Sequence, residues 1–369
     1  MISRRNFLKN TGMATALSMA GPAAAFSNPF ANNHFADEII GHGEFRYKVD
    51  KAWAKISVNS NPLFNCHEMV QDSKGRLIML GDHTQNNILI FDKSGKLLDN
   101  WGTAWPGGHG LSISKEGGED FLMIVDCGWY QNKSGAWNAQ AGQVIKTDLN
   151  GRIIFSIGHP KTIGVYKDDE KFMPTETAIG PNGDIYVADG YGSDYIIQYN
   201  SKGQYIRHFG GRKNANPDWN LRCAHGVAID YRNKSIPTLI CTSREENCFK
   251  VFTLDGKFLH RIDMPGMHVC RPVLYGENLY AGVCWSNDEA GKMIGGNSGF
   301  VTILDASNKV ISNPGGNAPV YKNNVLQATL QAPGQMFQHC HDVCIDEDKN
   351  IYVCQWNANN TAPVKLTRV

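Results

Sequence analysis

Apolar and polar residues alternate with a period of two along most of the chain, which is the pattern of β-strands that bury one face. The clearest stretch, residues 173–206, contains three alternating runs separated by turns that are rich in Gly, Asn and Asp. Stretches with helical periodicity are nearly absent, and 38 glycines fit a chain with many short turns. The pattern therefore predicts an all-β protein.

The same unit recurs six times: a lead residue, an alternating strand, a turn, a second strand, a variable loop and a third strand. The copies begin near residues 66, 109, 173, 223, 270 and 339. Units of this kind bury their faces only against neighbours, in a closed ring. The sequence predicts a single six-bladed β-propeller over residues 44–369. The last copy lacks an outermost strand, which the alternating segment at residues 44–50 is expected to supply.

The N-terminus resembles a twin-arginine secretion signal, which we assign to residues 1–30. Arg4 and Arg5 are followed by Phe7, Leu8 and Lys9, then by a mildly apolar run and a stretch of alanines. The apolar run is too short and too interrupted for a stable membrane span. We expect export by the twin-arginine machinery to the periplasm or the medium, and a linker at residues 31–43.

Charge narrows the range of partners. The chain has 36 Lys and Arg against 35 Asp and Glu, a net charge of +1, and its body contains no basic cluster. Nucleic acid and membrane surfaces are therefore not expected partners, and a small molecule or a peptide is.

Ten cysteines in an exported chain favour disulfides, although spacing does not fix their connectivity. Two pairs flank strand turns and are candidates for bridges: Cys241 with Cys248, and Cys344 with Cys354. Small buried residues are the other structural interpretation of the cysteines. A metal or redox role is the alternative for the three that precede a lead position, which are Cys66, Cys270 and Cys340.

The lead positions carry the candidate chemistry, because the first strand of each propeller blade lines the central channel. In chain order they are His67, His109, Thr175, His225, Arg271 and His341. His109, His225 and His341 follow one another at equal intervals of 116 residues and come from alternate blades. Three neutral imidazoles with open coordination positions suit a catalytic Zn²⁺, although Fe, Cu, Co or Mn can use the same ligands. Such a metal polarises a substrate oxygen or activates a bound water.

Two motifs extend this pattern to a known family. The repeat phrases resemble NHL repeats, and Tyr191 ends the segment Ala188–Tyr191 while Arg244 lies within residues 243–247. With the alternate-blade histidines, these segments resemble the peptidyl-α-hydroxyglycine α-amidating lyases. The resemblance implies that His109, His225 and His341 bind zinc and that Tyr191 and Arg244 are active-site residues. It also implies a structural Ca²⁺ bound by Asp342 and the carbonyls of Met69 and Leu111.

One departure from the family concerns the substrate. The family has an arginine in its first blade where this chain has Leu80. His67 and Arg271 are additional channel residues, and we expect them to bind substrate, with Arg271 taking a carboxylate that the missing arginine would hold. The metal-binding residues therefore resemble those of the family, while the sequence does not identify the substrate.

The first functional hypothesis is an exported zinc-dependent lyase of the amidating-lyase type, acting on a small hydroxylated substrate. Tyr191, as a phenolate near the metal, would be the general base, and Arg244 would hold it or stabilise negative charge. A metal-dependent lyase or hydrolase acting on a sugar or lactone is the alternative, as is an NHL propeller that only binds. No phosphate-binding loop, serine nucleophile elbow or HExxH helix occurs in the sequence.

Overall fold

Five antiparallel sheets of four strands and one of five account for the six predicted repeats. The fold is a six-bladed β-propeller, so the predicted fold class is confirmed. The computed structural model describes residues 38–369 except 58, 133, 289, 296–297 and 330–335. The expected signal peptide and residues 31–37 of the expected linker lie outside the described residues.

Each repeat folds into one sheet whose first strand lies innermost. Two N-terminal strands, β1 (Ile39–His42) and β2 (Phe45–Asp50), precede the repeats. Blade 1 contains β3 (Cys66–Gln71), β4 (Leu77–Gly81), β5 (Ile88–Phe91) and β6 (Leu97–Trp101). Blade 2 contains β7 (Gly108–Glu116), β8 (Glu119–Asp126), a hairpin of β9 (Trp129–Gln131) and β10 (Trp137–Ala139), then β11 (Gln143–Asp148) and β12 (Ile153–Ser156). Blade 3 contains β13 (Glu176–Ile179), β14 (Ile185–Ala188), β15 (Tyr195–Tyr199) and β16 (Tyr205–Gly210).

The second half repeats the arrangement. Blade 4 contains β17 (Val227–Asp230), β18 (Thr238–Ser243), a 3₁₀ turn (Arg244–Glu246), β19 (Cys248–Thr253) and β20 (Phe258–Asp263). Blade 5 contains β21 (Met267–Tyr275), β22 (Asn278–Ser286), β23 (Phe300–Leu304) and β24 (Val310–Ser312). A short hairpin of β25 (Tyr321–Lys322) and β26 (Val325–Leu326) follows blade 5 in the chain. Blade 6 contains β27 (Cys340–Ile345), β28 (Ile351–Gln355) and β29 (Val364–Arg368).

Both ends of the described chain build the last blade. β2 pairs antiparallel with β29, as the sequence predicted, so the sixth sheet has the order β1-β2-β29-β28-β27. β1 then pairs with β2, which makes residues 39–42 of the expected linker a strand instead. This pairing ties the first strands to the last one and so closes the ring of blades.

The core lies between neighbouring blades. Because side chains alternate across a strand, each sheet presents apolar residues to the blade before it and the blade after it. Ile78, Leu80 and Ile88 of blade 1 pack against Leu111 and Ile124 of blade 2 in one such cluster. Leu80 is fully buried there and so lies in the interblade core.

The expected disulfides are wrong, because all ten cysteines lie within the described residues and all are free and buried. The strand registers give the reason. Cys241 lies opposite Lys250, two residues from Cys248, and Cys344 lies opposite Tyr352, two residues from Cys354. Such diagonal neighbours are typically about 7–8 Å apart, farther than a disulfide allows. Within the described part of the chain, no helix is long and apolar enough to cross a membrane.

Candidate metal centre and channel

Four histidines meet at one end of the central channel, and all four are buried. The ring centroids of His109, His225 and His341 are 4.6–4.9 Å apart. His67 lies 5.1 Å from His109 and 5.0 Å from His341 by the same measure. The structure thus brings together the three alternate-blade histidines and adds His67, the residue expected to bind substrate.

Local strand irregularity aims three of these side chains at the channel. His67, His109 and His341 are each skipped in the pairing of the first strand with the second, where the register shifts. The extra residue of a β-bulge is turned away from the ordinary alternation of the strand, and bulges are frequent next to active sites. The bulge therefore directs an imidazole toward the axis in blades 1, 2 and 6.

Backbone carbonyls fix the tautomers of two imidazoles. The Nδ1 of His109 lies 2.8 Å from the carbonyl oxygen of Thr175, and the Nδ1 of His341 lies 3.0 Å from that of His67. A carbonyl only accepts, so Nδ1 carries the hydrogen and Nε2 presents a lone pair. The Nε2 atoms of His109 and His341 face each other at 3.1 Å. Two lone pairs at this separation repel unless a cation lies near them.

The remaining nitrogen atoms also fit a metal. Ligand nitrogens of His67, His109 and His341 all lie within 4.8 Å of one another. The Nδ1 of His225 is buried without a hydrogen-bond partner. Burial is the main cause that lowers the pKa of His109, His225 and His341 well below the usual value. These imidazoles are therefore neutral, which is the form that binds metal.

Tyr191 and Arg244 lie beside the histidines. The hydroxyl of Tyr191 is 3.1 Å from the Nε2 of His109 and 3.1 Å from the Nε2 of His225. Arg244 approaches that hydroxyl with Nη2 at 3.5 Å. Burial raises the pKa of Tyr191 and outweighs Arg244, which lowers it. Both residues therefore lie where the family resemblance expected them, next to the imidazole cluster.

A glycine makes the position of Tyr191 possible. A Cβ at Gly190 would lie 2.4 Å from the carbonyl oxygen of Ala224 and 2.8 Å from the Oγ1 of Thr175. Both contacts are far shorter than real Cβ atoms allow, so only glycine lets the turn after β14 pass this close to blade 4.

Arg244 is a buried cation that has no carboxylate partner among the described residues. Its side chain lies over the ring of Trp285, with Cζ 5.0 Å from the ring centroid, and near the Sγ of Cys270. Among the described residues, no carboxylate oxygen forms an ion pair with it, although Arg212 and Arg222 both pair with Glu245. Its charge is thus left for an anionic group in the cavity.

A cavity of about 530 Å³ opens at this end of the channel. Two histidines of the cluster, His67 and His109, line its walls together with aromatic, amide and charged side chains. The lining residues include His67, Asp82, His109, Trp129, Gln131, Trp137, Tyr191, Arg212, Arg244, Glu245, Trp356 and Asn357.

Arg271 does not line this cavity, so its expected role in binding a substrate carboxylate there is wrong. Its guanidinium lies deeper in the channel and donates to both carboxylate oxygens of Asp342, at 2.9 and 2.8 Å. It also lies 3.5 Å from Glu68 and 3.7 Å from Glu176, and all three carboxylates are buried. Its charge is therefore used inside the protein.

The same guanidinium forms hydrogen bonds with the oxygen atoms that the family resemblance assigned to a Ca²⁺ site. Arg271 donates to the carbonyl oxygens of Leu111, at 2.8 Å, and Met69, at 3.1 Å, as well as to Asp342. The Arg271 guanidinium thus binds all three of the expected Ca²⁺ ligands. The expected Ca²⁺ site does not fit this arrangement.

Sequence reasoning missed the two other acidic members of this cluster. Glu68 and Glu176 each follow directly after a lead position, as Asp342 does. The signal was therefore present as an acidic residue at the next position in three of six repeats.

Comparisons with known proteins agree with the fold and with a distant relation. No known family model matches the chain. It is 26% identical over 226 residues to a probable peptidyl-alpha-hydroxyglycine alpha-amidating lyase of Caenorhabditis elegans, covering 58% of this chain and 54% of that protein. It is 25% identical over 323 residues to peptidyl-alpha-hydroxyglycine alpha-amidating lyase 1 of Drosophila melanogaster, covering 84% of this chain and 52% of that protein. The chain spans about half the length of these relatives.

Solved structures support the architecture alone. A gluconolactonase of Xanthomonas campestris superposes with a TM-score of 0.50 and 11% identity, covering 83% of this chain and 86% of that one. A virginiamycin B lyase of Staphylococcus aureus gives a TM-score of 0.47 at 13% identity, covering 83% and 95%. The chain is thus weakly homologous to amidating lyases, and relatives with that name point to an enzyme on a propeller fold.

Replacing Arg271 by Met should strongly destabilise the fold, because three buried carboxylates would lose their cation. Breaking such a buried pair costs about 3–5 kcal/mol. Burial raises the pKa of Glu68, Glu176 and Asp342, and Arg271 opposes the rise. Without it these pKa values rise further, so stability should fall more steeply as pH increases above about 4, where the unfolded carboxyls ionise. Urea unfolding at pH 5 and pH 8 measures both effects.

Arg271→Lys, which keeps the charge, should lose less stability than Arg271→Met. The exposed pair of Arg152 and Asp148 provides a control, because Arg152→Met should cost at most about 1 kcal/mol. A calcium chelator should leave the melting temperature of the wild type unchanged. A drop in melting temperature that added Ca²⁺ reverses would contradict this account.

Proposed function

We propose that this protein is an exported, metal-dependent lyase of the peptidyl-α-hydroxyglycine amidating-lyase type. One observation carries the proposal: the hydroxyl of Tyr191 lies 3.1 Å from two imidazole nitrogens, with the unpaired guanidinium of Arg244 at 3.5 Å. Tyr191, Arg244 and two of the clustered histidines, His67 and His109, thus line one cavity. The named sequence relatives supply the reaction class.

The metal would be a divalent transition ion, with zinc the first candidate for an all-imidazole set. His109 and His341 belong to both possible sets of three ligands, and either His225 or His67 completes the set. When bound, such an ion polarises a substrate oxygen and stabilises negative charge on it.

The protein residues have separate tasks in this proposal. Arg244 binds the carboxylate of an N-acyl-α-hydroxyglycine, because its buried guanidinium has no carboxylate partner in the described part of the chain. Tyr191 lies within reach of the substrate hydroxyl and relays its proton. As the hydroxyl loses its proton, the carbon–nitrogen bond breaks and the nitrogen accepts a proton. An amide and glyoxylate form, and no oxidant or reductant is consumed.

The same site is also compatible with a metal-dependent lyase or hydrolase acting on a sugar or lactone. The observation that favours this second candidate is Leu80, which is buried between blades 1 and 2 and cannot bind a substrate anion. Blade 1 therefore lacks the cationic group that the amidating lyases have there, and a substrate with less charge would not need it.

Purified protein should contain about one equivalent of transition metal, and His109→Ala should lose it because both ligand sets include His109. Metal analysis by mass spectrometry measures this, with the exposed His260→Ala as the matched control. His67→Ala and His225→Ala, measured in parallel, identify the third ligand, since only the ligand variant should lose the metal. Protein that stays metal-free after zinc is supplied would rule out the metal-dependent mechanism.

Tyr191→Phe should lower kcat by about 10²–10⁴-fold while leaving the metal content unchanged, because it removes only the hydroxyl that relays the proton. Release of glyoxylate from an N-acyl-α-hydroxyglycine measures the rate. A Tyr191→Phe variant with full activity would exclude the proposed role. Turnover of a lactone but not of this substrate would favour the second candidate.

Export rests on the sequence of residues 1–30 and is proposed on that basis. Changing both Arg4 and Arg5 to Lys should keep the precursor in the cytoplasm of a bacterium that has a twin-arginine pathway, because that pathway recognises the pair. Cell fractionation with immunoblotting measures the distribution. Equal export of the variant and the wild type would contradict the assignment.

A further inference from the structure

The hairpin of β9 and β10 places two tryptophans at the mouth of the cavity. It is inserted between the second and third strands of blade 2, where the other described blades have no second pair of strands and blade 5 has only an isolated bridge between Asn287 and Met293. Trp129 is 48% exposed and Trp137 is 47% exposed, and their ring centroids are 6.3 Å apart. Large aromatic rings held open to solvent beside a cavity are typical of ligand-contact surfaces.

These rings continue inward as one surface. Trp137 lies 6.2 Å from Trp356, and Trp356 lies 6.2 Å from Trp285. Trp285 in turn packs under Arg244. Trp129, Trp137 and Trp356 line the cavity and we name them the aromatic wall, while Trp285 lies behind Trp356 and against Arg244. The wall leads from the unpaired guanidinium to the solvent, so a ligand anchored at Arg244 would extend along it.

Of the charged residues that line the cavity, Arg212 and Glu245 lie next to each other and Asp82 accepts two hydrogen bonds from Asn65, so Arg244 is the one whose charge is left for the ligand among the described lining residues. Arg212 binds Asp194 at 2.6 Å and lies 3.5 Å from Glu245. Gln131 and Asn357, the cavity residues next to the tryptophans, are uncharged. The group that lies along the aromatic wall should therefore be uncharged as well.

Hydrogen bonding near the wall argues against a sugar. The Nε2 of Gln131 donates to the carbonyl of Gly135 at 2.7 Å. Asn65, in the adjoining recess, donates to Asp82 and accepts from the backbone N–H of Asn357, both at 2.6 Å. Of the nearby amides, the exposed Asn357 keeps its side chain available, so few such partners are left for the several hydroxyls of a sugar, whereas an aromatic ring needs only ring edges and faces.

We propose that the aromatic wall is a specificity subsite for an aromatic ring in the acyl part of the substrate, while Arg244 holds the carboxylate. The inference rests on the proposed function for the identity of the reacting centre. Trp137 is the residue expected to contribute most, because it is half exposed and contacts both Trp129 and Trp356.

Binding of two non-reacting ligands to zinc-loaded protein tests the subsite without turnover. N-benzoylglycine and N-acetylglycine share the carboxylate and amide and differ in the ring. Titration calorimetry should show that the wild type binds the benzoyl compound about tenfold more tightly, the size expected of one good aromatic contact. Trp137→Ala should bring the two affinities together, and Trp137→Phe should retain most of the difference.

Tyr231→Ala is the matched control, since Tyr231 is 44% exposed and lines a cavity at the other end of the channel. It should preserve the tenfold ratio. Equal binding of the two ligands by the wild type, or a ratio unaffected by Trp137→Ala, overturns the subsite. Tighter Trp137-dependent binding of gluconolactone than of N-benzoylglycine overturns the aromatic assignment in favour of a sugar.

Turnover distinguishes this inference from the proposed reaction. If the benzoyl preference depends on Trp137 but N-benzoyl-α-hydroxyglycine releases no glyoxylate, the subsite stands and the proposed reaction fails. If glyoxylate is released and the affinity ratio is one, the reaction stands and the subsite fails.

Discussion

The ion cluster around Arg271 is the interaction on which the channel depends. One buried guanidinium from blade 5 faces carboxylates from blades 1, 3 and 6, and it also takes backbone carbonyls from blades 1 and 2. Transfer of these charges from water is costly, so the cluster is favourable only while every partner keeps its position. Blade 4 contributes Gly226, where a Cβ would lie 2.6 Å from the Cα of Arg271. The blades are thereby held at fixed distances from the axis.

The ion cluster around Arg271 also fixes the positions of the four histidines. Glu68 and Asp342 each follow a histidine of the cluster, and Glu176 follows Thr175, whose carbonyl accepts from His109. A radial shift of a blade would therefore move a carboxylate and a neighbouring imidazole or its orienting carbonyl together. The carboxylates that hold the blades together each lie one residue after a lead position. The imidazoles are therefore kept in place by their neighbours and need not stabilise the fold themselves.

The repeat pattern was sufficient to predict the ring, since a two-residue period and six lead positions leave few alternatives. It was also sufficient to bring His109, His225 and His341 together, because equivalent positions in a ring must converge. The repeat pattern could not predict where the charged end of a long side chain lies. Arg271 occupies a lead position, yet its guanidinium reaches the next layer, where three carboxylates outweigh the attraction of the cavity. The disulfide expectation failed for a related reason, since spacing does not reveal the strand register that sets Cys241 and Cys248 on a diagonal.

The balance of charge in the cavity limits the kind of ligand it accepts. Arg212 and Arg222 are paired with acidic neighbours, and burial lowers the pKa of His109, His225 and His341 well below the usual value, which keeps these three neutral. Arg244 is left as the cation without a carboxylate among the described cavity residues, and Leu80 in the interblade core adds none. A ligand with one carboxylate matches that charge, whereas a second carboxylate would lose its hydration without gaining a partner. The remainder of the ligand must then be bound without charge, which is what a wall of tryptophans provides. The motifs that resemble a family thus indicate the reacting centre, and the residues outside those motifs determine what is attached to it.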